Sequence, residues 1–169
     1  NRNRLQMISL IVILILVLIA ILAPVIVPYP EQILKENNPI DKLLPPSGKY
    51  LFGTDELGRD IFSRVLYGTR ISLITAVIAV AAALLVGVPL GAIAGTIGGM
   101  TDEIIMRITD IFLSFPPLLL AIAIAAFLGP SLQNAILSIV IAWWPWYTRL
   151  IRGQAVSIRE RQFVRAARS

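Results

Sequence analysis

Two stretches of this chain carry no charged side chain over lengths that a bilayer explains better than a soluble core. They are Ile71 to Met100, 30 residues, and Ile111 to Thr148, 38 residues. A third run, Met7 to Val27, adds 21 uncharged residues. About 20 apolar residues in a helix reach the roughly 30 Å of bilayer hydrocarbon, because each residue rises about 1.5 Å. The 38-residue run is too long for one crossing, and Gly129-Pro130-Ser131 interrupts it where helix continuity is hardest to keep. Four membrane helices are therefore expected, at about 7–27, 71–95, 105–128 and 132–151. The first reads as a retained span, since it ends in Pro24 and Pro28 with no small-residue cleavage site. The fold class is all-α integral membrane, a polytopic helical bundle.

Composition excludes several functions. Of the 169 residues 57% are hydrophobic and 15% charged, a balance that makes lipid the solvent. With no Cys and no His, disulfides, zinc sites and Ser-His or Cys-His catalysis are unavailable. The net charge of +5 does not point to nucleic acid, because the basic residues flank apolar runs and form no continuous basic face. They follow membrane topology instead. Arg2, Arg4, Arg107 and six arginines after Thr148 fall on one side of a four-span chain, against six basic residues in the loop from Pro28 to Arg70. The positive-inside rule then places both termini in the cytoplasm. Six acidic residues balance the basic ones of that loop.

Within the loop, GTDELGRDIFSRVLYG predicts an interfacial helix over 54–68. Thr54 or Asp55 serves as its cap, Leu57, Ile61 and Val65 recur at i+4, and Asp60 is spaced to pair with Arg64. Asp55, Glu56 and Asp60 form a carboxylate cluster that could be imagined as a metal or acid-base site. An acidic first turn beside Arg59 and Arg64 is the stronger reading. In the second span Ala79, Ala83, Gly87, Gly91 and Gly95 fall every fourth residue, a stripe bare enough for close helix packing, although Ala and Gly are common in membrane helices generally. Ala121, Ala125 and Gly129 repeat it more weakly. No ionisable residue stands at mid-membrane to bind a driving ion. Asp110 lies at the mouth of the third span, spaced to pair with Arg107, which is spaced to reach Glu103. Trp143, Trp144, Trp146 and Tyr147 before Arg149 and Arg152 read as an aromatic belt with snorkelling arginines. Pro89, Pro116-Pro117 and Pro145 are candidate kinks.

After Gly153 the chain is too polar to cross, yet Val156, Phe163, Val164, Ala166 and Ala167 stand among arginines. A membrane-surface anchor and a helix that fits a groove in a soluble partner are equally compatible with it.

Three ordered stretches, LFGTDELGRDIFSRVLYGTRISL (51–73), DIFLSFPPLLLAIAI (110–124) and SIRERQFVRAARS (157–169), resemble the inner-membrane permeases of dipeptide, oligopeptide and nickel ABC importers, specifically the C-type partner of the permease pair. The resemblance implies the type I importer permease fold with six spans, so the chain is expected to be a truncated piece. It implies that 153–169 begins the cytoplasmic coupling helix of the Glu-Ala-Ala motif, which docks on an ATPase subunit. The ATPase-coupling residues would be Arg159, Glu160, Arg161, Phe163, Val164, Arg165, Ala166, Ala167 and Arg168, with Arg165 standing where the motif has Glu. It further implies a second permease, two ATPase subunits that hold ATP and Mg, an extracytoplasmic binding protein, and residence in a prokaryotic cytoplasmic membrane. Catalytic, metal and cofactor sites are not expected in this chain, which lacks the P-loop pattern G-x-x-x-x-G-K-[ST]. The competing reading is a non-transporting membrane scaffold whose basic tail binds anionic lipid.

Overall fold

The computed structural model describes residues 2–33 and 37–162. Its regular elements are five α-helices: α1 (Arg2–Ile26), α2 (Ile61–Ile97), α3 (Gly99–Leu113), α4 (Pro117–Leu128) and α5 (Leu132–Arg159), with short 3-10 turns at Pro30–Gln32 and Pro39–Asp41. The chain divides into two compact units, Asn1–Thr75 and Ala76–Ser169, and α2 belongs partly to each.

In the first unit, α1 is apolar on nearly every face, with residues such as Leu5, Ile8, Leu14 and Val25 exposed. A helix hydrophobic all round needs lipid around it. Pro24 is tolerated because it falls in the last turn, where Val27 N–H still reaches Ala23 O at 3.2 Å, and Pro28 then prevents continuation. The loop that follows is an irregular knot. Asn38 N–H donates to Leu57 O (2.9 Å) and Thr54 N–H to Leu44 O (3.0 Å), and the Thr54 hydroxyl bridges the Leu44 N–H and the Asp41 carbonyl.

The predicted helix over 54–68 is not a separate element. Residues 54–60 form a turn, and 61–68 are the first turns of α2, which runs unbroken to Ile97. The Asp55 side chain accepts from the Leu57 and Arg59 backbone N–H groups at 2.8 and 3.0 Å, offering the chain a turn in place of a helix. Gly58, at φ +75, completes that turn against the Asn38 backbone. The cap is Asp60, not Thr54 or Asp55: its carboxylate accepts from Ser63 N–H (2.8 Å) and the Ser63 hydroxyl (2.6 Å). Asp60 is buried, with Oδ2 held by Ser63 and Oδ1 without a partner among the described residues, and Arg64 meets Asp55 at 3.7 Å instead.

In the second unit, Gly98 and Gly99, both at positive φ, turn the chain from α2 into α3. The expected third span at 105–128 is two helices, α3 and α4, bent by 82° at Ser114–Pro116. Pro116 has no N–H for the helix ladder and disfavours helical geometry at Phe115, whereas Pro117 suits the first position of a new helix. Gly129 (φ +89) ends α4, and the Ser131 hydroxyl caps α5 by accepting from Asn134 N–H at 3.0 Å. The Asn134 amide also donates to Leu128 O and Gly129 O, closing the turn between the two helices.

Four crossings are expected from the sequence. By length and apolarity, α1 and α2 each suffice to cross a membrane, and the bent α3–α4 pair makes a third if it counts as one span. The fourth expected crossing, 132–151, lies in α5, which is long enough but falls short of that measure of apolarity: Gln133, Asn134, Pro145 and Arg149 dilute it.

Candidate functional site

The arginines after Thr148 were the sharpest functional signal, and the structure shows how α5 carries the first of them. Gly153 does not end the helix. Residues 153–159 continue α5 to Arg159, so the expected boundary between a fourth span and a separate helix starting at 153 is absent. A single glycine in a helix costs only about 1 kcal/mol relative to alanine. Phe163, Val164, Arg165, Ala166, Ala167 and Arg168 lie outside the described residues.

Packing along α5 follows from the small-residue stripe of α2. A Cβ at Gly87 would sit 2.8 Å from Trp144 O, one at Gly91 2.4 Å from Thr148 O, and one at Gly95 2.7 Å from Arg152 O. Three successive glycines thus bring the α2 backbone against the α5 backbone in parallel, and any larger residue there would separate the helices. Ala83 and Ala79, one and two turns earlier on the same stripe, are buried. Thr148 is fully buried in this contact, and its hydroxyl is satisfied by Trp144 O of its own helix.

Ion pairs fix α5 to α3. Arg152 forks onto Asp102, Nε to Oδ1 at 3.0 Å and Nη2 to Oδ2 at 2.6 Å. Arg149 pairs with Asp110, and Phe112 meets Trp144 edge to face at 5.3 Å between ring centroids. Of the two pairings that spacing offers Arg107, the one with Glu103 forms at 2.5 Å, while Asp110 pairs with α5 instead of Arg107.

The described coupling candidates differ in their surroundings. Arg159 donates to Thr96 O (3.5 Å) and lies over Gly98, placing its charge where the last carbonyls of α2 concentrate negative potential. Glu160 follows the last helical residue, its backbone N–H reaching Val156 O at 3.2 Å, with its side chain exposed. Arg161 is also exposed. It closes one end of a shallow groove of about 500 Å³ lined by Arg149, Leu150, Gly153, Gln154, Ser157 and Ile158. At about 100° per residue those positions lie opposite the face that meets α2.

The carboxylates of the first unit build structure. Asp41 accepts from the Tyr50 hydroxyl (2.6 Å) and Lys49 Nζ (2.9 Å), and these two bonds hold its carboxyl below the usual range, while the bond to Asp41 raises Lys49. Burial pushes Asp55 up, but the hydrogen bonds from Arg59 and Leu57 outweigh it and leave its pKa lowered. Among the described residues no three His, Cys, Asp or Glu side chains converge on a possible metal position.

Asp102 and its bond to Arg152 escaped the sequence reading. The partners are 50 residues apart, and only the turn at Gly98-Gly99 and the α3–α4 bend bring α3 back alongside α5. The one available hint was a carboxylate in the first turn of a helix bordering an apolar run.

This arrangement defines an all-helical, multi-pass membrane protein. A family model described as binding-protein-dependent transport system inner membrane component matches residues 87–169, and one described as the N-terminal transmembrane domain of oligopeptide transport permease C matches residues 1–46. The chain is 47% identical over 168 residues to the dipeptide transport system permease protein DppC of Alkalihalophilus pseudofirmus, covering 99% of this chain and 54% of the relative. It is 52% identical over 128 residues to the probable D,D-dipeptide transport system permease protein DdpC of Escherichia coli, covering 76% of this chain and 43% of the relative. Against the nickel transport system permease protein NikC of Escherichia coli the identity is 41% over 127 residues, 75% of this chain and 46% of the relative. The chain spans about half the length of the curated relatives it matches. It belongs to the binding-protein-dependent inner-membrane permease family, in the C-type branch of the peptide and nickel systems.

Proposed function

We propose that this chain is the membrane-embedded part of an importer that moves di- or oligopeptides, or a comparably small solute such as nickel, across the cytoplasmic membrane at the expense of ATP hydrolysed by a partner. Both termini are cytoplasmic in this reading. Two ATPase subunits hold ATP and Mg, a second permease completes the pathway, and an extracytoplasmic binding protein delivers the substrate. The names of the relatives support the class of cargo.

The observation that carries the proposal is the build of α5. Its middle is pressed against α2 at Gly87, Gly91 and Gly95 and tied to α3 by Asp102–Arg152, while its end runs on to the exposed Glu160 and Arg161. A helix held firmly along its length and bare at its tip can receive a push at the tip and move its neighbours. The chain itself offers neither a nucleotide-binding loop nor a mid-membrane ion site, which supports placing the energy source in a partner.

Reversing charge at Arg161 and replacing Phe163 by Asp in the assembled transporter tests this. Copurification of the ATPase and substrate-stimulated ATP hydrolysis should both fall at least about ten-fold, the scale of losing a few well-placed contacts. Wild-type levels of both would remove the docking role from this segment.

A further inference from the structure

We infer that the Asp102–Arg152 fork is the joint through which motion of α5 reaches α3, with Arg152 as a positioning residue that stays paired throughout the transport cycle. The inference rests on the coupling reading above and goes further by naming how displacement leaves α5.

In the α2–α5 contact, Gly87, Gly91 and Gly95 lie against α5 carbonyls and against the Cβ atoms of Tyr147, Ile151 and Ala155. Such a surface resists compression, since nothing can be pushed closer. Among the described residues its one directional bond is the long Arg159–Thr96 contact at 3.5 Å. A directional bond is needed to fix the register of α5 against its neighbours. An arginine fork on a carboxylate is directional, because two parallel N–H···O bonds demand one relative orientation of the two planes.

The fork is also the better-shielded of the two α3–α5 pairs. The Asp102 side chain is 18% exposed, against 58% for Asp110. Solvent and salt weaken the outer pair more. Asp102 and Asp110 are more than two turns apart on α3, whereas Arg152 and Arg149 lie within one turn of α5. Two separated anchors converging on one turn fix the crossing angle as well as the distance. Glu103 contributes indirectly by occupying Arg107, which would otherwise compete for Asp110. Beyond Leu113 the chain bends by 82° into α4, so a displacement delivered to α3 arrives at a break that can convert it into a change of angle.

The test uses the transporter reconstituted with its ATPase in vesicles, measuring substrate moved per ATP hydrolysed. Asp102→Asn and Arg152→Gln should each lower that ratio about ten-fold while ATPase copurification is kept. The chain has no cysteine, so a double variant Asp102→Cys/Arg152→Cys can be joined by a short bifunctional thiol reagent. It should be uncoupled before joining and recover at least half of the wild-type ratio after it. A ratio within two-fold of wild type in either neutral variant overturns the inference, as does a joined protein that stays uncoupled or stops transporting. Should the neutral variants fail to accumulate in the membrane, Arg152→Lys keeps the charge without the fork, and wild-type coupling in it overturns the inference equally. Failure of the docking reading looks different: ATPase copurification would then persist in Arg161→Glu, whatever the ratio in the Arg152 variants.

Discussion

The loop of the first unit and the arginine-bearing half of α5 both contain ion pairs, yet the pairs do opposite work. In the loop the partners are close in sequence. Asp41 meets Lys49 eight residues on, and Asp55 meets Arg59 four residues on. Those bonds, with Tyr50 and Thr54, give fixed shape to a stretch whose prolines and glycines prevent regular structure. In the second unit the partners are 50 and 39 residues apart and join two helices that would be helical without them. Local pairs fold a segment, and distant pairs connect segments already folded. Breaking the first kind should loosen one loop, whereas breaking the second should leave every helix intact and change how helices move together.

The largest effect should come from the packing beneath the distant pairs. Gly91→Leu must place a side chain where Thr148 O stands 2.4 Å and Arg152 N 3.0 Å from its Cβ. Neither backbone atom can rotate away, so a destabilisation of about 3 kcal/mol or more is expected, the upper range for overpacking. Thermal unfolding in detergent should show it as a large drop in midpoint. Gly153→Ala, on the open face of the same contact with nothing within 4 Å of its Cβ, should be neutral or stabilising by up to about 1 kcal/mol through helix propensity.

Next in size is the break between α3 and α4. Replacing Pro116 and Pro117 together by Ala restores two backbone donors and should let residues 99–128 approach a single helix. Spin labels at Met106 and Ile124 would then report a longer separation than in the wild-type chain. An unchanged distance would mean that packing of α4 on α5, not proline chemistry, sets the bend.

The smallest effect concerns the loop and has a defined sign. Asp41 has a lowered pKa in the folded loop, so its contribution to loop order is complete above the ordinary carboxylate value of about 3.9 and is lost as pH falls through the depressed value. Protection against hydrogen exchange over residues 37–60, taken relative to the intrinsic exchange rate at each pH, should fall on acidification towards pH 3 relative to pH 6, and Asp41→Asn should show the lower protection at both. The α3–α5 contact in Asp41→Asn should exchange as in wild type, because the described bonds of Asp41 are all made to residues of the loop itself.

Much of this architecture was readable in the amino-acid order, for reasons that also explain the misses. Apolar run length pointed to the long helices α1 and α2, since lipid solvation depends on composition more than on partners. The small-residue stripe of α2 was visible because its period is helical. Boundaries were less visible. At Asp55 a side chain competes for its own backbone, and at Asp60 a carboxylate caps the next turn, so one sequence of plausible caps had two readings. Pro116-Pro117 signalled a kink, but a kink and an 82° break share the same two residues. Gly153 suggested an end that packing against α2 overrode. Least readable were Asp102–Arg152 and Asp110–Arg149, because a pairing across dozens of residues exists only once the turns between them are built.

The coupling account stands or falls on what Arg161 touches. A photo-reactive amino acid placed at position 161 in native membranes, with a second placed at Ile40 in the exposed loop as comparison, reads this directly on irradiation. The account predicts an adduct with an ATPase subunit from position 161 and none from position 40. Adducts from position 161 that contain only lipid would contradict it and favour a basic membrane anchor.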